Sequence, residues 1–322
     1  MEGPTSRTPF PVAETCGDLP VAVLLSTYDG VRFLPQQLES ILRQHCARWI
    51  LLWRDDGSAD ATRSVMQAFA ERMGPDRCRV VAEDLGHLGI AGSFLTLLQG
   101  VPPHTIAAFA DQDDVWMPDK LQRGVAALAE VPPGQPALYC ARQQLVDEDL
   151  VPLGLSPYRG RPAAFPAALT QNVATGCTVM LNPAAVTLVA ASTPPGGTLH
   201  DWWSYLVVSA AGGRLITDSV PVVLYRQHRR NAVGAPHSTL RRGVMAVRRG
   251  PDGFMQQFRR HVVALAAYRH ALSPTAVRDL AILERALDGG LLSRLRTLRR
   301  VDCLVRQTTL ETALFRLWFL VG

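Results

Sequence analysis

Phe109-Ala110-Asp111-Gln112-Asp113-Asp114-Val115-Trp116 places three carboxylates within four residues, directly after a short apolar run over 105–110. An unbroken apolar run of this length, preceded by two prolines, predicts a buried strand. Carboxylates at the carboxyl end of such a strand face the crevice where open α/β sheets bind ligands. Crowded carboxylates repel one another, so the pattern predicts a divalent cation, Mg²⁺ or Mn²⁺, shared with substrate phosphates.

From residue 21 to residue 110, strands alternate with amphipathic helices, which predicts an α/β fold with a mainly parallel sheet covered by helices. Beyond residue 130 this alternation stops, and the Pro-rich segment 151–166 is interpreted as a loop over the site. After residue 240 the chain is mostly helical, with breaks expected near 250–253, 273–274 and 289–290. The predicted elements are strands over 21–26, 49–53, 79–82, 105–110, 137–142, 177–181 and 220–226, and helices over 33–43, 61–73, 90–99 and 200–211.

Composition and charge describe a globular chain with a basic C-terminal part. The 322 residues are 48% hydrophobic and 19% charged, which excludes a disordered chain. Residues 1–239 carry 18 Lys and Arg against 22 acids, whereas residues 240–322 carry 15 Arg against 6 acids. Nucleic-acid binding by the main body is therefore not predicted. Basic amphipathic helices suit an anionic membrane surface, and a solvated helical face is the alternative. Lys120 is the only lysine, so a bias in base composition contributes to this arginine content.

The cysteine pattern and the absence of apolar segments give an expected location. Six cysteines without CxxC spacing are interpreted as small core residues in a reducing compartment, neither disulfides nor a zinc site. Residues 1–20 lack the apolar region of a signal peptide, and no stretch reaches the length of a membrane-spanning helix. We expect a cytoplasmic protein that could attach peripherally to the inner face of the cell membrane.

The sequence has four polar clusters, at 26–30, 55–58, 111–114 and 200–203, and the first three follow predicted strands at the same end of the sheet. Acidic groups cannot bind an anion directly by charge. They can hold a base or ribose through hydrogen bonds and a diphosphate through a metal. Neither GxGxxG nor GxxxxGK[ST] follows the first strand, which argues against dinucleotide-binding and P-loop proteins. The clusters therefore indicate a nucleotide-diphospho substrate.

Taken together in order and spacing, these motifs resemble a family 2 glycosyltransferase with the Rossmann-like GT-A fold, and most closely its rhamnosyltransferase-like branch. The resemblance covers about residues 21–234 and implies a flexible N-terminus over 1–20, a catalytic domain over 21–235 and a basic helical extension over 236–322. The motifs are Val23-Leu-Leu-Ser-Thr-Tyr-Asp-Gly, Arg54-Asp-Asp-Gly-Ser, Asp84-Leu-Gly-His-Leu-Gly, Asp111-Gln-Asp-Asp-Val-Trp, Thr175-Gly-Cys-Thr, His200-Asp-Trp-Trp and Tyr225-Arg-Gln-His.

The resemblance implies an inverting enzyme that takes a sugar, with rhamnose a candidate, from a dTDP-, UDP- or GDP-linked donor. The acceptor would be a glycan or a lipid-linked glycan in surface polysaccharide synthesis. The sequence departs from the family at His87, where relatives commonly have Asn. A nucleotidyltransferase using the same acids, and a non-catalytic glycan-binding relative of the fold, are the alternatives.

The residues that the resemblance assigns to the donor follow the first two strands. Thr27 and Asp29 would contact the nucleotide, and one of Asp55 and Asp56 would hydrogen-bond the base. An ordinary turn is the alternative for Asp29, since Gly30 follows it. A turn and a helix cap are the alternative for Asp55 and Asp56.

The metal and diphosphate assignments centre on the acidic run. Asp113 would bind the metal directly, and Asp111 would hold ribose or metal-bound water. Asp114 would support them from behind or cap the helix after Pro118, and the cap is favoured. His228, with Arg226 or Arg229 beside it, would contact the metal or close over the phosphates; a basic surface loop is the alternative.

The acceptor side is assigned to the cluster at 200–203. An inverting transfer needs a carboxylate to take the proton of the attacking hydroxyl, and Asp201 matches the family's catalytic base. His200 would support Asp201 or the acceptor by a hydrogen bond, or simply pack on Trp202. Trp202 and Trp203 would stack on the acceptor or belong to the core.

Overall fold

The computed structural model describes residues 19–46, 48–83, 85–158, 164–228, 231, 239–301 and 304–322, with the backbone alone over 239–251. In chain order the elements are β1 (Val21–Thr27), α1 (Leu34–Leu42), β2 (Trp49–Asp55), α2 (Thr62–Met73), β3 (Cys78–Val80), α3 (Gly89–Gln99), β4 (Ile106–Ala110), β5 (Val115–Trp116), α4 (Lys120–Ala129), β6 (Ala137–Val146), β7 (Pro152–Leu155), β8 (Met180–Leu181), α5 (Pro183–Ala190), α6 (His200–Ala210), β9 (Arg214–Arg226), α7 (Thr239–Ala266), α8 (Pro274–Asp288), α9 (Leu291–Arg300) and α10 (Thr309–Val321).

The first half of the sheet is parallel and brings three predicted clusters to one edge. Its strand order is β3-β2-β1-β4, and all three pairings are parallel. In the register, Thr27 lies opposite Asp55, and Leu25 lies opposite Ala110. Because parallel strands end at the same edge, the loops after β1, β2 and β4 meet there.

The second half of the sheet is mixed and folds the acidic run against β9. The order continues β8-β6-β9-β5, with β7 paired to β6 outside this path. The two-residue strand β5 pairs antiparallel to β9, so that Val115 lies opposite Leu224. This pairing fixes both ends of the acidic loop: β4 holds its start, and β9 holds its end. The structure therefore has the predicted mixed, helix-covered sheet of the α/β class.

The core lies on both faces of the sheet. One face of the sheet packs on Leu38, Trp49 and Trp53, among other apolar side chains. The other face packs on α6 and on the C-terminal helices, with Trp203 of α6 and Phe258 of α7 in one continuous cluster. The C-terminal helices thus share the core of the sheet. In the part of the chain that the structure describes, no helix combines the length and apolarity needed to cross a bilayer.

The predictions for the Pro-rich segment and for two structural details were wrong. Within 151–166, Pro152–Leu155 pairs with β6 as a strand, because edge pairing satisfies its backbone without a sequence period. Helix α7 continues through 250–253, since its apolar side chains from Met255 onward bury a long stripe in the core. The expected breaks before α8 and α9 are confirmed. Cys46 is disulfide-bonded, contrary to the expectation of free thiols, whereas the buried Cys78, Cys140 and Cys177 are free.

Candidate functional site

The loops after β1 and β2 are tied together by the acids that the sequence assigns to the donor. The carboxylate of Asp55 accepts hydrogen bonds from Ser58 N, Ser58 Oγ and Thr27 Oγ1, at 2.9, 2.6 and 3.0 Å. The carboxylate of Asp29, whose φ of 46° is left-handed, accepts from Ala59 N at 2.8 Å. The turn predicted as the alternative for Asp29 and Asp55 is therefore present. Their contacts to the donor stay predictions, since a carboxylate has further lone pairs to offer.

Asp56 is a buried structural acid in this fold. Its carboxylate contacts Arg54 Nη1 at 2.5 Å and accepts from Leu88 N and Gly89 N at the start of α3, at 2.7 and 2.9 Å. Burial alone would raise the pKa of Asp56, but these hydrogen bonds outweigh it and lower the pKa below its ordinary value. The side chain of Asp56 is 4% exposed, so of the two neighbouring acids Asp55 is the one that can reach a nucleotide. His87 also contacts Asp56, at 3.0 Å.

Gln112 joins the first loop to the acidic run, and no role was predicted for it from the sequence. Its amide accepts from Tyr28 N and donates to Tyr28 O, both at 2.8 Å. A Cβ on Gly30 would lie 2.1 Å from Gln112 Oε1, so the glycine leaves the room that this amide needs. The sequence feature that could have indicated Gln112 is its uncharged amide between two acids, because such an amide is suited to hydrogen bonds with the backbone or with a nucleobase.

Asp113 and His228 meet at the centre of the site, as the resemblance implied. His228 Nε2 lies 2.8 Å from Asp113 Oδ2, and the imidazole packs against Phe33 with ring centroids 5.0 Å apart. The carboxylate oxygen is a ligand that Mg²⁺ and Mn²⁺ prefer, and the imidazole nitrogen beside it suits a transition metal better than Mg²⁺. The antiparallel pairing of β5 with β9 produces this contact across 115 positions of sequence.

Arg226 supports the loop and does not reach out to phosphates. The residue is 1% exposed, and its Nε donates to Asp113 O at 2.9 Å. The guanidinium lies 4.4 Å from the centre of the Phe33 ring and also donates to Gln36 Oε1. The prediction that Arg226 closes over the phosphates is therefore replaced by a structural role. Arg229 lies outside the described residues.

Asp114 does not cap the following helix, which corrects the favoured prediction. Helix α4 starts at Lys120 after Asp119, whereas Asp114 is fully buried and accepts from Arg226 N at 3.2 Å. The Cys177 thiol also donates a hydrogen bond to this carboxylate, while burial raises the pKa of Asp114 well above its ordinary value. The turn into β5 rotates Asp114 inward, toward Cys177, because Val115 and Trp116 must pair with β9.

Asp111 is the residue of the acidic run that interacts with the predicted base, Asp201. Burial raises the pKa of Asp111 to about 7, with the charges of Asp113 and Asp201 adding to the effect and Lys120 opposing it. A carboxyl group titrating so high indicates a site with an excess of negative charge, and a divalent cation would relieve it. The negative charge of Asp201 is thus near enough to Asp111 to act on it.

Asp201 lies in the first turn of α6 and is held by backbone groups. Its carboxylate accepts from Gly176 N at 3.1 Å and from Trp202 N at 2.6 Å. Burial raises the pKa of Asp201 to about 6, although these hydrogen bonds act in the opposite direction. A carboxylate with a pKa near neutral pH accepts a proton more readily than an exposed aspartate does.

The residues beside Asp201 differ in what they can offer an acceptor. His200 stacks on Phe94, with ring centroids 3.8 Å apart, and neither ring nitrogen has a hydrogen-bond partner among the described residues. The predicted bond to Asp201 is thus wrong, and burial lowers the pKa of His200 to about 3. Trp203 is 1% exposed and donates to Ser192, so it belongs to the core as the alternative held. Trp202 is partly exposed, and its contact to an acceptor stays a prediction.

Comparisons with known proteins agree with this geometry. Residues 22–142 match the family model described as glycosyl transferase family 2. The chain is similar to the dTDP-rhamnosyl transferase RfbG of Shigella flexneri, 25% identical over 225 residues, which is 66% of this chain and 74% of that protein.

Two further proteins extend the comparison. One is the UDP-Glc:alpha-D-GlcNAc-diphosphoundecaprenol beta-1,3-glucosyltransferase WfgD of Escherichia coli, 29% identical over 34% of this chain and 42% of that protein. The other is the solved structure of the mannosyltransferase PcManGT from Pyrobaculum calidifontis in complex with GDP-Man and Mn²⁺. It superposes with a TM-score of 0.51 at 20% identity, over 97% of this chain and 91% of that one. The chain is therefore similar to family 2 glycosyltransferases over residues 22–142, and its fold is that of the GT-A glycosyltransferases.

Proposed function

We propose that this glycosyltransferase is an inverting, metal-dependent enzyme that uses a nucleotide-diphosphate sugar. The observation that carries the proposal is the contact of Asp113 with His228 at 2.8 Å, beside Asp111, on which the charges of Asp113 and Asp201 both act. The first three residues suit the diphosphate end of a donor, and the last suits the acceptor. The donor-side residues Asp111 and Asp113 are far from Asp201 in the sequence, so only the fold brings them together.

Proton removal is the step that the chain itself performs. Asp201 would take the proton of the acceptor hydroxyl as that oxygen attacks the anomeric carbon, and the bond to the leaving diphosphate breaks on the opposite face. The N–H groups of Gly176 and Trp202 fix the orientation of the carboxylate. Burial keeps water from competing for it, since the residue is 7% exposed.

The donor set fits a divalent metal. Asp113, Asp111 and His228 offer two carboxylates and an imidazole, and the raised pKa of Asp111 reports the negative charge that a cation would balance. Mg²⁺ or Mn²⁺ held there would offset the charge developing on the leaving diphosphate. The Mn²⁺ in the mannosyltransferase structure supports this assignment.

A donor screen tests the proposal. Purified protein is incubated with dTDP-rhamnose, UDP- and GDP-sugars, with EDTA, Mg²⁺ or Mn²⁺, and release of the nucleoside diphosphate is measured. We expect release from one donor class, at least about tenfold faster with a divalent cation, with dTDP-rhamnose the first candidate because of the likeness to RfbG. Absence of metal-stimulated release from every donor, with and without polysaccharide or lipid-linked acceptors, would contradict the proposal.

The nucleotidyltransferase alternative has no accessible lysine for a triphosphate in the part of the chain that the structure describes. The chain has a single lysine, Lys120, and it is fully buried, so no lysine of the described chain is free to hold a γ-phosphate. The non-catalytic alternative would tolerate loss of Asp113 and Asp201, and both are present. Neither alternative has an observation in its favour.

We further propose that the acceptor is reached at an anionic membrane surface, which the likeness to an enzyme named for a diphosphoundecaprenol substrate supports. Helix α9 exposes Leu291, Leu292 and Leu295 together with Arg296, Arg299 and Arg300, and it contains no acid. At 100° per residue these six residues occupy one half of the helix surface. Leucines beside arginines on one helix face suit the interface of an anionic bilayer.

Vesicle sedimentation tests the membrane proposal. The protein should pellet with vesicles rich in phosphatidylglycerol at low salt and remain in the supernatant with neutral phosphatidylcholine. Replacing Arg296, Arg299 and Arg300 by Gln should weaken binding about a hundredfold, since each basic residue contributes about 1 kcal/mol. The matched control Arg278→Gln, on the exposed surface of α8, should not change it. Equal binding to both vesicle types, or none, contradicts the proposal.

A further inference from the structure

The loop between α5 and α6, residues 191–199, is held by side chains of α7 and of the turn that follows it. Arg260 donates from Nη1 to Gly196 O at 3.2 Å, and the hydroxyl of Tyr268 accepts from Thr193 N at 2.9 Å. This loop leads directly into α6, whose first turn carries the predicted base. The C-terminal helices are therefore attached to the segment that positions the base.

His261 is the buried residue of this attachment, with no exposed surface. Its Nε2 lies 2.8 Å from Thr198 Oγ1 and 2.8 Å from Gln257 Nε2, and the Gln257 amide also donates to Thr198 Oγ1 at 2.5 Å. An amide nitrogen can only donate, so Nε2 of His261 accepts and the imidazole proton lies on Nδ1. Burial lowers the pKa of His261 to about 4, which keeps the imidazole in this neutral form at physiological pH. The three side chains form a closed hydrogen-bonded triangle at the end of the loop.

A histidine is an unfavourable residue at this position if packing is its only role. Its Nδ1 is buried without a hydrogen-bond partner among the described residues. A phenylalanine of similar volume would fill the same space and bury no polar atom. The hydrogen bonds of Nε2 to the loop therefore account for the imidazole better than packing does.

The same imidazole packs against Trp202, the residue after Asp201. The ring centroids are 4.6 Å apart and the planes are inclined by 75°, an edge-to-face contact. The indole Nε1 donates to Ala168 O at 2.9 Å. These two contacts fix the indole, yet the residue is partly exposed. An indole that is fixed and still partly exposed offers a rigid apolar surface beside the base.

We propose that His261 is a positioning residue of the acceptor site, which fixes Trp202 as a platform for the apolar face of an acceptor pyranose. The inference deepens the proposed function and rests on it for the reaction, whereas sugar binding at Trp202 is measurable without turnover. Fixing the indole before binding reduces the entropy that is lost when a sugar stacks on it. Because His261 belongs to α7, the C-terminal helices are part of the acceptor site.

Sugar binding is tested by NMR. The chain has six tryptophans, and the indole N–H signal that disappears in Trp202→Phe belongs to Trp202. The probes are the methyl α-glycosides of rhamnose, glucose, galactose and N-acetylglucosamine. At least one of them should shift the Trp202 signal of the wild type, and His261→Phe should weaken its binding about tenfold.

Transfer kinetics give the second readout. His261→Phe keeps an aromatic ring beside Trp202 and removes the nitrogen that accepts the hydrogen bonds. With the active donor, it should raise KM for the acceptor sugar about tenfold and leave donor hydrolysis by water unchanged. His261→Gln, whose amide oxygen can replace Nε2, should recover most of the loss. Thr198→Val removes the hydroxyl of the same contact, so it should raise this KM by a similar factor, with no further increase in the double variant His261→Phe/Thr198→Val.

Tyr268→Phe is the matched control. It removes one hydrogen bond from the same loop, at Thr193 next to α5, and keeps the ring that lies 6.5 Å from the Trp203 ring. The KM for the acceptor sugar and the glycoside response of Trp202 should equal those of the wild type. The control separates a general loosening of the loop from loss of the triangle.

Three outcomes overturn the inference. A wild-type Trp202 signal that no glycoside shifts means that the indole is not a sugar platform. Unchanged glycoside binding and unchanged acceptor KM in folded His261→Phe show that the imidazole serves packing alone; if that variant does not fold, Thr198→Val decides in the same way. An equal loss in His261→Gln or in Tyr268→Phe shows that the hydrogen bonds of His261 are not the cause. A wild type without donor turnover contradicts the proposed function instead, and the NMR titration still decides on Trp202 and His261.

Discussion

Replacing Asp201 by Asn is expected to lower the rate of sugar transfer between about 10² and 10⁴-fold while nucleotide binding is retained. The amide keeps the shape of the carboxylate, and its oxygen can still accept from Gly176 N or from Trp202 N, so the variant loses one of the two backbone hydrogen bonds and should fold with a modest loss of stability. It cannot take the proton of the acceptor hydroxyl. Transfer is measured under saturating donor and acceptor, and binding of the nucleoside diphosphate by calorimetry.

The pH dependence gives the same carboxylate a second test. Burial raises the pKa of Asp201 to about 6, and a base acts in its deprotonated form. The wild-type kcat should therefore be constant above this pH and fall about tenfold per pH unit below it. The residual activity of Asp201→Asn should not show this decrease at low pH.

The neighbouring His200→Phe is the control for Asp201, because it keeps a flat ring between Phe94 and Phe109. We expect it to lower transfer less than about tenfold. A larger loss in His200→Phe than in Asp201→Asn would show that the imidazole is the base and that the assignment of Asp201 is wrong.

The sequence predicted the first half of the sheet closely because each strand there is an unbroken apolar run. The strands predicted over 21–26, 49–53 and 105–110 correspond to β1, β2 and β4 to within two residues. Their parallel register then fixes which loops meet, so the edge carrying Asp29, Asp55 and Asp111 followed from local pattern alone.

The second half of the site depends on contacts that no local pattern contains. Strand β5 has two residues, and its pairing with β9 rotates Asp114 inward and places His228 on Asp113. From the sequence, Asp114 was predicted to cap the helix after Pro118, because an acid before a proline is typical of a helix start. Tertiary pairing decided otherwise, because β5 can satisfy its backbone only by pairing with β9.

Lys120 and Gln112 show why the sequence alone did not predict all residues of the site. Both are polar residues that the sequence would place on a surface, yet both bond backbone groups of neighbouring loops. Each residue differs from its surroundings in the sequence: Lys120 is the single lysine among arginines, and Gln112 is an uncharged amide between acids. Such differences indicate which position has a special role, and the structure shows which backbone groups the side chain bonds.

Replacing Asp113 by Ala is expected to lower metal-stimulated donor turnover by about 10³-fold, the largest effect on the donor side. The carboxylate pairs with His228 at 2.8 Å and is partly exposed to the crevice, so its loss removes a ligand and leaves the imidazole without its partner. Donor turnover is measured over a series of Mn²⁺ concentrations, and Mn²⁺ binding in the presence of nucleoside diphosphate by calorimetry. Both the apparent Mn²⁺ affinity and kcat should fall.

The acid at Asp119 supplies the matched control for Asp113. It lies after β5, directly before α4, and its carboxylate contacts Arg123 at 3.8 Å. Asp119→Asn should therefore leave Mn²⁺ affinity unchanged, which separates loss of a ligand from loss of a negative charge near the site. His228→Ala should weaken Mn²⁺ binding as Asp113→Ala does if both residues hold the metal. If His228→Ala binds Mn²⁺ as tightly as wild type, the imidazole only orients Asp113, and the metal is held by the two carboxylates. If Asp113→Ala itself keeps full Mn²⁺-stimulated turnover, the assignment of Asp113 as a metal ligand is wrong.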